Sequence, residues 1–255
     1  MNCEYRVEEQ LESGAFSTVY RCTHKYTNQP VAIKQIIKSK YGKQEAATLK
    51  SLAEIEGIPR LLTTVSDSSY HYLIMEYAAG VPLYNYMEEH MDHLDMAKIK
   101  KYVKRLLEIL CVVHSRGIAH SDVKPENIII NTQNDNVMLV DWGLSHSLEY
   151  GLPSGSLLYA SPELVSEIVE DDKHYIGPLN DVWAIGIIIY IATTTVLPYN
   201  DEDNYTLKRE IANIDIQWRR LEKHPLAYDL LKKILTPMKN RITACEAMKH
   251  PWFCS

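Results

Sequence analysis

With 255 residues, 46% of them hydrophobic and 24% charged, the chain has enough apolar material to fold around a core, which excludes a disordered tract. A formal net charge of −6 disfavours non-specific attachment to nucleic acid or to an anionic membrane. The most apolar run, residues 184–196, is too short to span a bilayer and predicts a buried core helix instead.

In chain order, strands dominate the first third. The β-rich runs QLESGAFSTVYRCTH and PVAIKQIIK flank the turn-prone KYTNQ. KQEAATLKSLAEI then takes helical spacing, with Ala46, Leu49 and Leu52 on one side. IPRLLTTVSDSSYHYLIMEY returns to strands, with a turn near Asp67. Beyond Gly80 the pattern is mostly helical. DMAKIKKYVKRLLEILCVVHSRG repeats apolar residues at Ile99, Val103, Leu106, Leu107 and Leu110, and Gly117 is its expected stop. A small sheet-rich part therefore precedes a larger helical part, with a boundary near Tyr77 to Gly80, which is an α+β organisation. The cysteines Cys3, Cys22, Cys111, Cys245 and Cys254 are scattered without a C-x-x-C pair, so mostly free thiols in a reducing compartment are expected. Met1 to Tyr5 shows no basic-then-apolar leader, and an intracellular location, cytoplasmic or nuclear, is expected.

The chemistry-bearing residues follow the same order. In LESGAFSTVY only Gly14 remains of a glycine-rich phosphate loop, with Glu12 and Ser17 at the other glycine positions; alone, this stretch fits an ordinary hairpin. VAIK ends at Lys34, and Glu45 sits on the helix beyond; singly, each fits a solvated surface residue. HSDVKPENIIIN is sharper, because Asp122, Lys124 and Asn127 precede an apolar strand, and VMLVDWG then ends a second strand at Asp141. Carboxylates, an amide and a lysine at strand ends suit Mg-nucleotide chemistry, where hard oxygens hold Mg²⁺ and the lysine screens phosphate charge.

Taken together, Gly14 with Val19, VAIK, Glu45, IMEY, HSDVKPEN, DWG, YASPE, NDVWAIG and NRITACEAMKHPWF occur in register along nearly the whole chain, and the sequence resembles eukaryotic protein kinases. KHYIGPLNDVWAIGIIIY, LPYNDEDN and HPWF are similar to the calmodulin-dependent and AMP-activated-like branch of Ser/Thr kinases. The resemblance implies a two-lobed fold. An antiparallel-sheet lobe with one helix would cover residues 1–78, and a larger helical lobe residues 79–255. The catalytic domain would run from 5 to 253 with no regulatory tail.

It also implies roles. Lys34 would hold the α- and β-phosphates of ATP and pair with Glu45. Leu11, Gly14, Val19, Ala32 and Ile129 would enclose the nucleotide, with Met75 as gatekeeper and backbone bonds from Glu76 and Ala78. Asp122 would orient the substrate hydroxyl and accept its proton, and Lys124 would stabilise the transferring group. Asn127 and Asp141 would hold Mg²⁺. Glu163 would pair with Arg241, and Asp181 would fasten the catalytic loop. The partners implied are proteins with Ser/Thr acceptors, not nucleic acid, with no membrane insertion; a regulatory protein partner is left open. Lys124 and GSLLYASPE, with Ser156 at a threonine position, favour Ser/Thr over Tyr acceptors.

Four departures frame the alternative of a pseudokinase scaffold. Glu12 adds charge near a triphosphate, and Ser17 replaces a glycine. Pro82 replaces a polar ribose contact. Ser121 replaces the arginine that, in relatives, grips an activation-segment phosphate through a bidentate fork. Trp142 stands for the phenylalanine after the metal aspartate, and its indole N–H needs a partner. The intact set Lys34, Glu45, Asp122, Lys124, Asn127 and Asp141 favours an active enzyme.

Overall fold

The computed structural model describes residues 4–38, 40–147, 156–165, 176–199 and 203–254. It divides into two units, Met1–Ala79 with Met138–Gly143 and Gly80–Val137 with Leu144–Ser255.

The first unit is a five-stranded antiparallel sheet of β1 (Tyr5–Ser13), β2 (Ser17–His24), β3 (Pro30–Ile37), β4 (Leu61–Ser66) and β5 (Tyr70–Glu76), in the order β1-β2-β3-β5-β4, with α1 (Lys40–Ser51) between β3 and β4. The period of two explains its faces. Val31 and Ile33 of β3 join Cys22, Tyr72 and Ile74 in one apolar cluster. Ala32 and Lys34 alternate with them and so point to the other face. Glu45 and Leu49 are four positions apart, so α1 buries both on one side. Asn28 makes the expected turn at φ 56°, and the Asp67 carboxylate accepts the N–H groups of Ser69 and Tyr70 in the second one. The Met138–Gly143 stretch belongs here, tied by the Leu139 N–H to Gly57 O at 2.8 Å.

The second unit contains β6 (Val81–Pro82), α2 (Leu83–Glu89), α3 (Met96–Ser115), β7 (Ile118–Ala119), β8 (Ile128–Asn131), the start of β9 (Asn136–Leu139), β10 (His146–Ser147), α4 (Pro162–Val165), α5 (Ile176–Thr194), α6 (Asn204–Asn213), α7 (Pro225–Ile234) and α8 (Ala244–Ala247). Asp95 caps α3 by accepting the N–H groups of Ala97 and Lys98. The five apolar residues expected on its inner face are all buried. Gly117, at φ 72°, follows its end. The apolar run becomes α5, buried from Val182 to Tyr190, with α3 and α7 packed against it. Gly186 makes that packing possible, because a Cβ there would meet Ile234 Cγ2 at 2.6 Å. Among the described residues no helix is long and apolar enough to cross a membrane.

The expectation of mostly free thiols needs correction. Cys111 of α3 and Cys245 of α8 form a disulfide with Cα atoms 5.1 Å apart, whereas Cys22 and Cys254 are free. The packing of α8 on α3 sets that pairing, which a separation of 134 residues in sequence does not reveal.

Candidate active site

In the first unit, Lys34 is 5% exposed and its ammonium is shared by two carboxylates. Its Nζ lies 2.8 and 2.9 Å from the two Glu45 oxygens and 2.7 Å from Asp141 Oδ1. Burial alone would lower the lysine pKa, but the charges and hydrogen bonds of Glu45 and Asp141 outweigh it and drive the pKa up, so Lys34 stays a cation. Glu45 is also pushed up, first by burial and then by Asp141, against the pull of Lys34. One ammonium thus serves two carboxylates, Glu45 and Asp141. Asp141 adopts φ 59°, and its Oδ1 also accepts the Gly143 N–H at 3.2 Å. A side chain at Gly143 would crowd the trio, since its Cβ would meet Asp141 Oδ1 and Lys34 Nζ, each at 3.1 Å. Trp142 is buried, and its indole N–H donates to Leu139 O at 2.9 Å, the partner its buried ring requires.

The residues expected around a nucleotide in this unit follow the sheet. Ala32 and Met75 are cross-strand partners on β3 and β5, and both are buried. Val19 of β2 pairs with Lys34 of β3, and Leu11 lies exposed on β1. Gly14 closes the β1–β2 turn by donating to Ser17 O at 2.8 Å. A Cβ on Gly14 meets only Ser17 O, at 3.8 Å, an ordinary van der Waals contact. Glu12 pairs with Val19 across the strands and is exposed. The Glu76 N–H is committed to Arg60 O at 2.9 Å, so a base contact from its backbone falls to the carbonyl. Ala78 follows β5 at the end of the same unit.

In the second unit, Asp122 is held from four directions. Its Oδ1 accepts the N–H and Oγ of Ser156 at 3.1 and 3.3 Å. Its Oδ2 receives Lys124 Nζ at 2.9 Å and Asn127 Nδ2 at 3.1 Å. Lys124 Nζ also donates to Ser156 Oγ at 3.3 Å, so the hydroxyl bridges lysine and carboxylate. Asn127 spends its Nδ2 on Asp122, and the same nitrogen reaches the Asp122 carbonyl at 2.8 Å, which leaves the amide oxygen for a cation. Ile129 lies on β8 and pairs with Pro82 of β6, so the residue at the expected ribose position serves a strand ladder.

The loop carrying Asp122 is anchored from beneath. Asp181 of α5 is fully buried and accepts the N–H groups of His120 and Ser121 at 2.9 and 2.8 Å. Sequence reasoning anticipated that anchor but not the third group on it, His114 Nε2, at 2.9 Å. Only the fold brings His114 there, from the last turn of α3, next to its final residue. Glu163 pairs with Arg241 at 2.9 Å, and Arg241 also caps the carbonyls of Leu179, Ile234 and Thr236. Tyr150 and Ser154 of the expected activation segment lie outside the described residues. Among the described residues no group of three or more His, Cys, Asp or Glu could enclose a metal ion. The Asn127 amide oxygen of the second unit and the Asp141 carboxylate of the first are each hard oxygen donors of the kind Mg²⁺ takes.

The model of the protein kinase domain matches residues 5–253. The chain is 31% identical to maternal embryonic leucine zipper kinase of Danio rerio over 97% of its own length and 37% of that protein. It is also 31% identical to the calcium/calmodulin-dependent protein kinase type II alpha chain of Drosophila melanogaster, over 98% of this chain and 49% of that one. The chain thus spans between about a third and a half of the length of these relatives. The crystal structure of Rad53 1-466 in complex with AMP-PNP superimposes with a TM-score of 0.82 at 26% identity, over 98% of this chain and 65% of that chain.

Proposed function

Because the chain belongs to the protein kinase domain family, we propose that it is an active Ser/Thr protein kinase, moving the γ-phosphoryl group of ATP to serine and threonine hydroxyls of proteins. The observation that carries the reading is the buried lysine held by two carboxylates, Lys34 with Glu45 and Asp141. An ammonium kept charged at that burial cost is suited to binding phosphate oxygens.

In this reading Lys34 binds phosphate oxygens, kept in place by Glu45. Ala32, Val19, Leu11 and Met75 offer apolar surface to the base, with Gly14 at the phosphate turn and Glu76 and Ala78 at the backbone contacts. Asp141 and Asn127 would hold Mg²⁺, which when bound would neutralise phosphate charge. Asp122 receives the proton of the acceptor hydroxyl, and its carboxylate is oriented beforehand by Ser156, Lys124 and Asn127. Lys124 spreads the negative charge that develops during transfer. The chain thus works by positioning and electrostatics, with no covalent intermediate on the protein. The hydroxyl of Ser156 between Asp122 and Lys124 supports serine and threonine as acceptors.

The test is transfer from radiolabelled ATP to a generic protein substrate, beside an Asp141→Ala variant. The parent should label serine and threonine by phosphoamino-acid analysis. The variant should lose activity by about a thousandfold while keeping its circular dichroism. No transfer by the parent at saturating Mg-ATP, or mainly phosphotyrosine, overturns the proposal.

A further inference from the structure

The second unit holds a cysteine pair that phosphotransfer does not use. Cys111 sits on α3, three residues before His114, so the two share one face of the helix. His114 binds Asp181, and Asp181 binds the N–H groups of His120 and Ser121 just before Asp122. Cys245 lies on α8, a helix of four residues held at its start by a reciprocal Thr243–Glu246 cap. The disulfide between them therefore ties a short, lightly held element to the helical turn that supports the loop. Both cysteines are half-buried rather than sealed in the core. The unit does not need the bond to fold, because α3, α5 and α7 bury a continuous apolar core. Disulfides outside the sealed core of a chain that folds without them are the labile kind.

We propose that Cys111 and Cys245 form a reversible thiol–disulfide exchange site for small disulfides of the glutathione type, whose oxidised form stiffens the anchorage of the loop carrying Asp122. One cysteine thiolate attacks the small disulfide and expels one thiolate. The second cysteine thiolate then attacks the mixed disulfide and expels the other. Two protein thiols are oxidised to one disulfide, one small disulfide is reduced to two thiols, and both protons leave with them.

The protein is equilibrated in glutathione buffers of graded reduced-to-oxidised ratio, then alkylated and mapped by mass spectrometry without reduction. The Cys111–Cys245 peptide pair should go from absent to complete across the series. The oxidised form should melt about 5 °C or more above the reduced form. The amides of His120 and Ser121 should exchange about tenfold more slowly in the oxidised form. Both differences should vanish in Cys111→Ser and in Cys245→Ser and persist in Cys254→Ser. The proposal is overturned if both thiols stay alkylatable at the most oxidising ratio or the link survives the most reducing one. It is equally overturned if the melting difference remains in both single variants, or if the two amides exchange alike in both forms. None of these readouts depends on kinase activity.

Discussion

Ser121 adopts the left-handed backbone region at φ 71° and is 1% exposed. Its backbone works even though its side chain departs from the family, since the N–H is one of the groups that Asp181 accepts. The departure therefore removes a guanidinium and leaves the anchor of the loop intact. Asp181 concentrates the consequence. Replacing it by alanine strands the buried His120 and Ser121 N–H groups and leaves the half-buried His114 Nε2 without this partner. Asp181→Ala should cost about 3 kcal/mol or more of stability by urea denaturation. It should also lower kcat more than the KM for ATP, because Asp122 loses its fixed position. An unchanged denaturation midpoint would show that the carboxylate anchors nothing. That anchor was legible from the spacing of family motifs. His114 was not, because a histidine on a helix facing the core has no sequence signal apart from its partner.

At the level of elements, period and punctuation carried most of the reading. Apolar spacing located α3, a continuous apolar run located α5, and β-rich composition beside a turn located β3, because burial selects those patterns. The short connections were less legible, since close backbone approach leaves only a glycine behind. Gly80 enters β6 at φ 156°, and a Cβ there would fall 2.3 Å from Ile130 O, a backbone atom that cannot swing aside. Gly80→Ala should therefore separate β6 from β8 and destabilise the second unit by about 2 kcal/mol. Gly14→Ala, with open space around its Cβ, should cost under about 1 kcal/mol. Thermal denaturation of the two variants side by side gives the contrast, and equal losses would refute the assignment. The Cys111–Cys245 pairing was hidden for a different reason, because cysteine positions do not state which helices will touch.

Over the whole molecule, the family motifs in register made the fold readable, while the membership of Met138–Gly143 in the first unit had to await the coordinates. Control of the enzyme is also a whole-molecule property. A phosphate on the segment from Asp141 to Glu163 would lack an arginine at position 121, where Ser121 is buried. It then has little differential energy with which to select one conformation. Initial rates of phosphatase-treated and untreated protein should agree within about threefold, and a hundredfold loss, roughly 2.7 kcal/mol, would reject this. The split membership of Met138–Gly143 also bears on how the chain is made. A ribosome releases residues 1–79 well before Asp141 exists, so the nascent sheet holds Lys34 against Glu45 alone. The first unit is therefore the earlier to begin folding and cannot be finished until 143 has left the exit tunnel, by which time much of the second has been synthesised. A stall between those points would leave the lysine short of its second carboxylate, in a sheet that chaperones meet before any catalyst is assembled.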